Sequence, residues 1–416
     1  GSAVGLGNIW LFPYRLGEYG GAAFLIPYLF FVFLFGWVGL SAEFAVGRLA
    51  RTGTLGSYKY CFAARGLGRL GKSLGWIPLL GSLGLAIGYA IILGWILRTL
   101  WGAASGELMT ADPAAYFALA SGEYGSLLWH VLVIVLTGAI LLLGIIRGIE
   151  KVSKILMPLF FVLFLFLAVW VFFLPGSGKG YEFLFVPDWQ MLMRADTWVM
   201  AMGQAFFSLS VTGSGMIAYG AYLSKEEDVV GVARHTALFD TIAALVASLV
   251  IIPACFSYGL DVGAGPGLLF VTLPEILQDI PMGRLFAAIL YVAMIFAGVS
   301  SLQNMFEAVA ESLLHRFPKL SRKAVLVLLA VVCLGAGIGM ETISKWGPWM
   351  DLVSIYIIPI GATLGAVSWF FIMKKDDLLA AVNTGSGKRH GALWYNVGRF
   401  VYVPLAALLC GVALID

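Results

Sequence analysis

The sequence has little charge. Only 12% of its 416 residues are Asp, Glu, Lys or Arg, about half of the ~25% found in soluble domains. Too few charges are present to hydrate the surface of a soluble protein this size. The same scarcity excludes a disordered chain, because disordered chains are polar. The net charge of +3 also gives no indication of nucleic acid as a partner.

Cysteine and histidine are equally sparse. The four Cys and four His residues are scattered, without a CxxC pair or a histidine cluster. Three of the cysteines lie in apolar runs, where a free thiol behaves as a small hydrophobic side chain. We therefore predict neither a disulfide nor a metal site built from these side chains.

The chain is rich in long apolar segments. Hydrophobic residues make up 61% of it, in continuous rather than alternating runs. Continuous runs exclude an outer-membrane barrel. A helix needs about 20 apolar residues to cross a bilayer, and eleven segments meet that requirement. An all-α polytopic protein of the lipid bilayer is predicted, with spans at about 1–18, 22–49, 75–103, 126–147, 152–174, 197–222, 233–259, 285–313, 323–340, 349–373 and 394–415.

The basic residues predict an orientation for these spans. Twenty of the 26 Lys and Arg residues lie in the loops after spans 2, 4, 6, 8 and 10. Because positive loops stay in the cytoplasm, we expect these loops and the N-terminus inside, and the C-terminus outside after span 11. This is the pattern of a multi-pass plasma (inner) membrane protein. No signal peptide is visible, and the absence of an initiator Met predicts that a short N-terminal segment is missing.

Spans 1 and 6 carry Gly, Ser, Thr or Asn clusters at mid-membrane, in GSAVGLGNIWLFP and SLSVTGSGMIAYG. Such clusters weaken a helix and free backbone groups, which are tolerated only where they line a buried or watery cavity. Two broken spans five apart indicate a transporter with an inverted repeat. The alternative is that small residues merely allow close helix packing.

Polar residues in other spans support the transporter interpretation. Asp240 is the one carboxylate well inside span 7 and needs a cation or a proton, unless it lies near enough to the interface to stay wet. Glu43 is a second buried acid. Tyr89 is a donor among apolar neighbours, or a core tyrosine bonded to a carbonyl. Ser300 and Ser301 offer hard oxygens for Na⁺, although serines in membrane helices often bond their own backbone.

Long motifs in this chain resemble the neurotransmitter:sodium symporter family. They are GSAVGLGNIWLFPYRLGEYGGAAFLIPY, GIEKVSKILMPLFF, GQAFFSLSVTGSGMIAYGAYL and FAGVSSLQ. The resemblance implies a bacterial eleven-span member with the LeuT-like 5+5 inverted-repeat fold. It places the first repeat at 1–175, the second at 197–375 and an additional span at 390–416.

The resemblance also implies two sodium sites. The first would use the carbonyl of Ala3 with Asn8, Ser208 and Asp240. The second would use the carbonyls of Gly1, Val4 and Ala297 with the hydroxyls of Ser300 and Ser301. The amino-acid site would be lined by Ser2, Ala3, Leu6, Gly7, Leu85, Tyr89, Phe207, Ser208, Ser210, Gly213, Ser301 and Met305. Glu43, Gln204 and Tyr28 would support these sites.

Several positions separate this chain from its relatives. Monoamine members carry an aspartate at the position of Gly5, so glycine here favours a substrate that brings its own carboxylate. The family's external ion pair is replaced by Leu11 and Ser354, for which Arg15 is a candidate substitute. A bulky aromatic is common at Gly213, so we expect room for a larger substrate.

We therefore predict a Na⁺-coupled amino-acid symporter and no enzyme activity. Chloride is not expected as a partner, because Asp240 already supplies a negative charge and Ala244 replaces a chloride-ligating serine. One alternative is a cation-independent or proton-coupled exchanger of the same fold. Another is a transporter-like sensor that no longer transports, which the loss of the external ion pair favours.

Overall fold

The computed structural model describes residues 4–144, 149–263, 265 and 267–415, and these form helices joined by loops. The helices of the first half are α1 (Phe12–Glu18), α2 (Ala22–Leu34), α3 (Ser41–Ala50), α4 (Gly53–Ala63), α5 (Gly68–Leu74), α6 (Trp76–Ser105), α7 (Pro113–Ala120), α8 (Leu127–Leu142), α9 (Lys151–Phe172), α10 (Ser177–Phe185) and α11 (Trp189–Leu192).

The second half continues with α12 (Ala195–Ser208), α13 (Gly215–Tyr222), α14 (Val229–Tyr258), α15 (Leu273–Asp279), α16 (Gly283–Arg316), α17 (Arg322–Ile338), α18 (Ile343–Asp351), α19 (Ile358–Val367), α20 (Lys375–Asn383), α21 (Ala392–Val397) and α22 (Val403–Ile415). Short π-helical segments occur at Gly7–Leu11, Phe35–Leu40, Leu268–Thr272, Leu352–Ile357, Ser368–Ile372 and Gly398–Tyr402, and a 3₁₀ turn at Glu107–Met109.

Helices occur at every predicted span. Seven described helices are both long and apolar enough to cross a membrane: Ala22–Ala50, Gly68–Ser105, Lys151–Phe172, Val229–Tyr258, Gly283–Arg316, Ile343–Ile372 and Ala392–Leu414. Spans 4 and 9 are shorter helices, α8 and α17. The all-helical membrane fold with a discontinuous span 6 is therefore confirmed, and the boundaries of the two repeats stay a prediction.

The interruption of span 6 is a stretch of irregular backbone between α12 and α13. Ser208 ends α12, and the helix resumes at Gly215. Between them, Ser210 and Gly213 have positive φ angles of 53° and 76°, a backbone conformation that ends an α-helix. In span 1, the described residues Val4 and Gly5 are not helical, and the π-helical segment Gly7–Leu11 leads into α1 at Phe12.

Hydrogen bonds at one end of the bundle gather the loops that follow even-numbered spans. The guanidinium of Arg48, at the end of α3, donates to the carbonyls of Ser224, Glu227, Ala381 and Thr384. These carbonyls follow span 6 or lie just beyond span 10. The loops after spans 2, 6 and 10 therefore lie on the same side of the bundle. This is expected, because the chain crosses the bilayer four times between one of these loops and the next.

At the opposite end, the loops after spans 3 and 7 meet. The side-chain amide of Gln278 in α15 donates to the carbonyls of Leu108 and Ala111. The π-helical segment Leu268–Thr272 buries Phe270 against Trp95 and Phe117. The indole of Trp10 also donates to the carbonyl of Gly265. The loop that leads into this segment therefore contacts span 1.

Candidate functional site

A cluster of oxygen-bearing side chains occupies the level at which spans 1 and 6 are interrupted. The carboxylate of Asp240 accepts a hydrogen bond of 2.6 Å from the amide of Asn8 and one of 2.7 Å from the hydroxyl of Ser208. Tyr28 in turn donates to the Ser208 hydroxyl at 3.4 Å. All four residues are buried. The three predicted ligand side chains of the first sodium site thus lie together.

Asn8 belongs to the start of span 1, and its own oxygen accepts a hydrogen bond from the N–H of Gly5. The side-chain amide of Gln204 donates to the carbonyl of Gly7 at 3.4 Å. The backbone of Gly5 and Gly7 is therefore held by side chains from its own helix and from α12. These contacts satisfy polar groups that a bilayer would leave unpaired.

Serine hydroxyls of α16 surround the backbone on the other side of span 1. Ser300 and Ser301 each donate to the carbonyl of Val4 at 3.2 Å, and Ser300 also donates to the carbonyl of Ala297 at 2.8 Å. The predicted members Val4, Ala297, Ser300 and Ser301 of the second sodium site are thus brought together. Gly1, Ser2 and Ala3, assigned to the sodium and amino-acid sites, lie outside the described residues.

A small cavity lies between the two groups of ligands. It has a volume of about 40 Å³, enough for roughly one water molecule. Nine of its lining residues were predicted to belong to a site: Gly7, Asn8, Leu85, Tyr89, Phe207, Ser208, Ser210, Ser301 and Met305. Most of the residues predicted to line the amino-acid site therefore line one common cavity, and its role as a substrate site stays a prediction. Leu6 does not line it, but lines the vestibule described below.

Gly213 is not at this cavity. Its N–H donates to the carboxylate of Glu43 at 2.7 Å, and the supporting role of Glu43 stays a prediction. A side chain at position 213 would meet the carbonyl of Gly361 and the hydroxyl of Tyr58. The space expected from this glycine therefore does not enlarge the cavity.

Four further described residues line the cavity without having been predicted: Ser82, Thr212, Gly215 and Asn304. Ser82 lies three residues before Leu85 and seven before Tyr89, on the same face of α6. Asn304 lies three residues after Ser301 on α16. Helical spacing from the predicted residues would have found both. The side-chain oxygen of Asn304 is buried and has no hydrogen-bond partner among the described residues.

A larger vestibule of about 260 Å³ adjoins the cavity. Gly7, Tyr89 and Phe207 line both spaces, and the ring of Phe207 lies against Gly7. Farther from the cavity, the vestibule is lined by Leu11, Arg15, Asp351 and Ser354. Phe207 and Tyr89 therefore separate a small inner cavity from a wider outer one.

An interrupted span 6, clustered oxygen donors and a cavity among them are features typical of a secondary transporter. The model of the sodium:neurotransmitter symporter family matches residues 1–119 and 117–415. The chain therefore belongs to that family, whose members are sodium-dependent transporters rather than enzymes.

Individual relatives agree with this assignment. The uncharacterized sodium-dependent transporter YhdH of Bacillus subtilis is 34% identical, over 98% of this chain and 93% of its own length. Another, MJ1319 of Methanocaldococcus jannaschii, is 30% identical over 95% and 83%. Among solved structures, that of MhsT in complex with L-phenylalanine matches 99% of this chain and 96% of that one, with a TM-score of 0.87 and 32% identity. The chain therefore has the LeuT-like fold.

Proposed function

We propose that this protein couples the entry of an amino acid to Na⁺, with both bound at the interrupted level of spans 1 and 6. The observation that carries the proposal is the junction of Asn8, Ser208 and Asp240, which come from three different spans. Carboxylate, amide and hydroxyl oxygens are hard donors and suit Na⁺. Na⁺ bound there joins the three spans and so organises the amino-acid cavity.

The carboxylate of Asp240 makes chloride unnecessary in this scheme. Asp240 brings a fixed negative charge to the first sodium site, and Ala244, one turn later on the same helix, offers no hydroxyl for an anion. A second anion within a few ångströms would be repelled, because charges interact strongly where water is excluded. Tyr28 and Gln204 then serve to position the cation ligands.

The second sodium ion would bind between spans 1 and 8. The Ser300 and Ser301 hydroxyls already contact the carbonyl of Val4, and rotating either hydroxyl hydrogen away exposes an oxygen lone pair to a cation. Carbonyl and hydroxyl oxygens carry no net charge. This site therefore depends on backbone geometry more than the first one does.

The amino acid would place its carboxylate at the break in span 1. A side chain at Gly5 would overlap the hydroxyl of Ser301 and come close to that of Tyr89, so the protein has no room for an acidic residue there. The substrate can instead supply the negative charge. The backbone N–H groups of Leu6 and Gly7 approach the Tyr89 hydroxyl, so three donors lie together where they would turn to a bound carboxylate.

The amine would point toward α13 and α16. Ser210 at the break in span 6 and the unpaired oxygen of Asn304 both face the cavity, and each can accept a hydrogen bond from an ammonium group. Pairing the Asn304 oxygen is favourable, since a buried acceptor without a partner costs about 1–3 kcal/mol.

The side chain of the substrate would be bulky and hydrophobic. Leu85, Phe207 and Met305 contribute apolar surface to the cavity, and Met adapts readily to different shapes. The cavity of about 40 Å³ must enlarge to admit such a substrate, and rotation of Phe207 would join it to the vestibule. MhsT, solved with L-phenylalanine, supports a substrate of this class.

The outer end of the vestibule would close through Arg15 and Asp351. Both line the vestibule, and each lies one helical turn outward of a position, Leu11 or Ser354, where the resembling family has its external ion pair. Among the described residues, no ion pair joins Arg15 to Asp351 in this structure. Their opposite charges would attract when the two walls approach.

The protein would lie in the plasma membrane, with the loops after spans 2, 6 and 10 in the cytoplasm. The Lys and Arg distribution supports this orientation, and so does the gathering of these loops around Arg48. The vestibule then opens outward, and spans 1 and 6 receive the amino acid from outside.

Equilibrium binding of labelled L-phenylalanine to the purified protein tests the proposal. We expect binding in Na⁺ and little binding when K⁺ or choline replaces it. Binding that does not depend on Na⁺ would favour the cation-independent or proton-coupled exchanger. Na⁺-dependent binding without uptake into proteoliposomes would favour the transporter-like sensor.

A further inference from the structure

A groove on the lipid-facing side of the bundle lies between spans 2 and 7. Its volume is about 450 Å³, within the ~300–1,000 Å³ range of small-molecule sites. Gly36, Gly231 and Ala237 line it, and a side chain at Gly36 would crowd Ala237. The two helices therefore approach closely at this point, and the missing side chains leave the hollow.

The walls of the groove are apolar and face the membrane. Leu29, Phe33 and Leu238 line it with exposed fractions of 41%, 67% and 53%. Trp37 also lines the groove, and tryptophan is enriched at the level of lipid headgroups. The surface is therefore suited to an acyl chain that enters from the interface.

The mouth of the groove is basic. Arg234 and His235 line it and are exposed. In the part of the chain that the structure describes, neither side chain makes an ion pair or a side-chain hydrogen bond. The two acids nearest along the chain, Asp228 and Asp240, are engaged elsewhere. Asp228 caps the N–H of Val230, and Asp240 is buried and accepts hydrogen bonds from Asn8 and Ser208. Among the described residues, no acidic side chain lines the groove.

The length of the groove fits the part of a single leaflet that lies next to its headgroups. Thr241, which lines the groove farther along the same helix, follows Arg234 by seven residues, or about 10 Å. That is roughly a third of the ~30 Å hydrocarbon core. Basic groups near the cytoplasmic ends of spans attract anionic headgroups, and Arg234 lies six residues into α14 on the side proposed to be cytoplasmic.

We propose that this groove binds an anionic phospholipid of the cytoplasmic leaflet. Its phosphate is held by Arg234 and His235, and one acyl chain lies between spans 2 and 7. Zwitterionic lipids bind less well, because their outer ammonium group is repelled by the same residues. Thr241 lies next to Asp240, so a bound lipid stabilises the helix contact beside the first candidate sodium site.

Lipid binding to the delipidated full-length chain in detergent tests this inference. The probes are dioctanoyl phosphatidylglycerol, dioctanoyl phosphatidylcholine, glycerol phosphate and inorganic phosphate, each titrated without Na⁺ or amino acid. The outcome is therefore independent of the proposed transport function. We expect phosphatidylglycerol to bind most tightly and the two soluble phosphates to bind only weakly.

Two pairs of matched variants locate the site. Arg234→Gln should weaken phosphatidylglycerol binding about fivefold, the effect of one basic residue near the membrane surface, whereas Lys323→Gln, an exposed basic residue in the first turn of α17, should not. Leu238→Trp should fill the groove and weaken both lipids, whereas Phe239→Trp, its exposed neighbour outside the groove, should not.

Each variant is first compared with the unmodified protein by gel filtration and thermal unfolding, and His235→Gln serves as a second headgroup variant if Arg234→Gln does not fold. Equal effects of Arg234→Gln and Lys323→Gln would show only general attraction to a basic surface and would overturn the proposal. Glycerol phosphate binding as tightly as the lipid would overturn it as well, because the groove would then contribute nothing.

Discussion

The two candidate sodium sites flank the same interrupted helix but are built from different chemistry. The first gathers Asn8, Ser208 and Asp240, so it contains a full negative charge. The second gathers the Val4 carbonyl with Ser300 and Ser301 and carries no formal charge among its described members. One site can neutralise Na⁺ by itself, and the other can only solvate it.

The difference also concerns which helices each ion would join. The first site links span 1 to spans 6 and 7, and the second links span 1 to span 8. Removing ligands should therefore have unequal effects: loss of charge at the first site should abolish coupling, whereas loss of a neutral oxygen at the second should weaken Na⁺ binding by degrees.

The strongest test of this contrast is Asp240→Asn. The amide has nearly the same shape but no charge, so Na⁺ loses its counter-ion in a buried site. We expect Na⁺-dependent uptake of phenylalanine into proteoliposomes to fall at least tenfold, with partial recovery when chloride is present. Ser248→Ala, a buried hydroxyl on the same helix bonded to its own backbone, should transport normally. Uptake unchanged in Asp240→Asn would refute the role of this carboxylate.

The second site should respond more mildly. Ser301→Ala removes one hydroxyl oxygen, and we expect the Na⁺ concentration for half-maximal transport to rise about tenfold, corresponding to ~1.4 kcal/mol for one contact to a charged group. The matched control is Ser257→Ala on span 7, whose hydroxyl bonds Pro253. If the double Ser300→Ala, Ser301→Ala variant keeps its normal Na⁺ dependence, the assignment of the second site is wrong.

The cavity between the two sites should select for size. We expect phenylalanine or leucine to displace labelled substrate at concentrations at least tenfold lower than glycine, because each additional buried methylene contributes about 0.8 kcal/mol. Met305→Ala should weaken phenylalanine binding severalfold and leave the Na⁺ requirement intact. Glycine as the best competitor would contradict this substrate class.

The smallest effect is expected at the outer end of the vestibule. Arg15→Gln and Asp351→Asn should each speed the dissociation of bound substrate by up to about fivefold, the range of a solvent-accessible ion pair. The exchanged pair Arg15→Asp, Asp351→Arg should restore slow dissociation. Glu123→Gln, an exposed acid in the loop after span 3 that does not line the vestibule, is the control. If the effects of the single variants add and the exchanged pair does not restore slow dissociation, the two residues do not form a closing ion pair.

Sequence patterns predicted which side chains lie together at the candidate cation sites, but they predicted the shape of the cavity less well. The Gly and Ser clusters predicted that the helices are interrupted, and the position of Asp240 in an apolar span predicted that its carboxylate has polar partners. Both predictions follow because unpaired backbone groups and unpaired charges are costly in a bilayer. Gly213 was misleading, since only the chain path shows that its open side faces Tyr58 and Gly361. The volume of the cavity depends on the rotamer of Phe207, and neither composition nor residue spacing predicts a rotamer.

The central claim is that Asp240 allows Na⁺-driven amino-acid transport without chloride. The direct measurement is uptake of labelled phenylalanine by proteoliposomes under an inward Na⁺ gradient, with gluconate replacing all chloride. We predict uptake close to that in chloride, and its loss when K⁺ replaces Na⁺. A large loss of uptake in gluconate would contradict the account, because Na⁺ would then need an external anion that Asp240 does not replace.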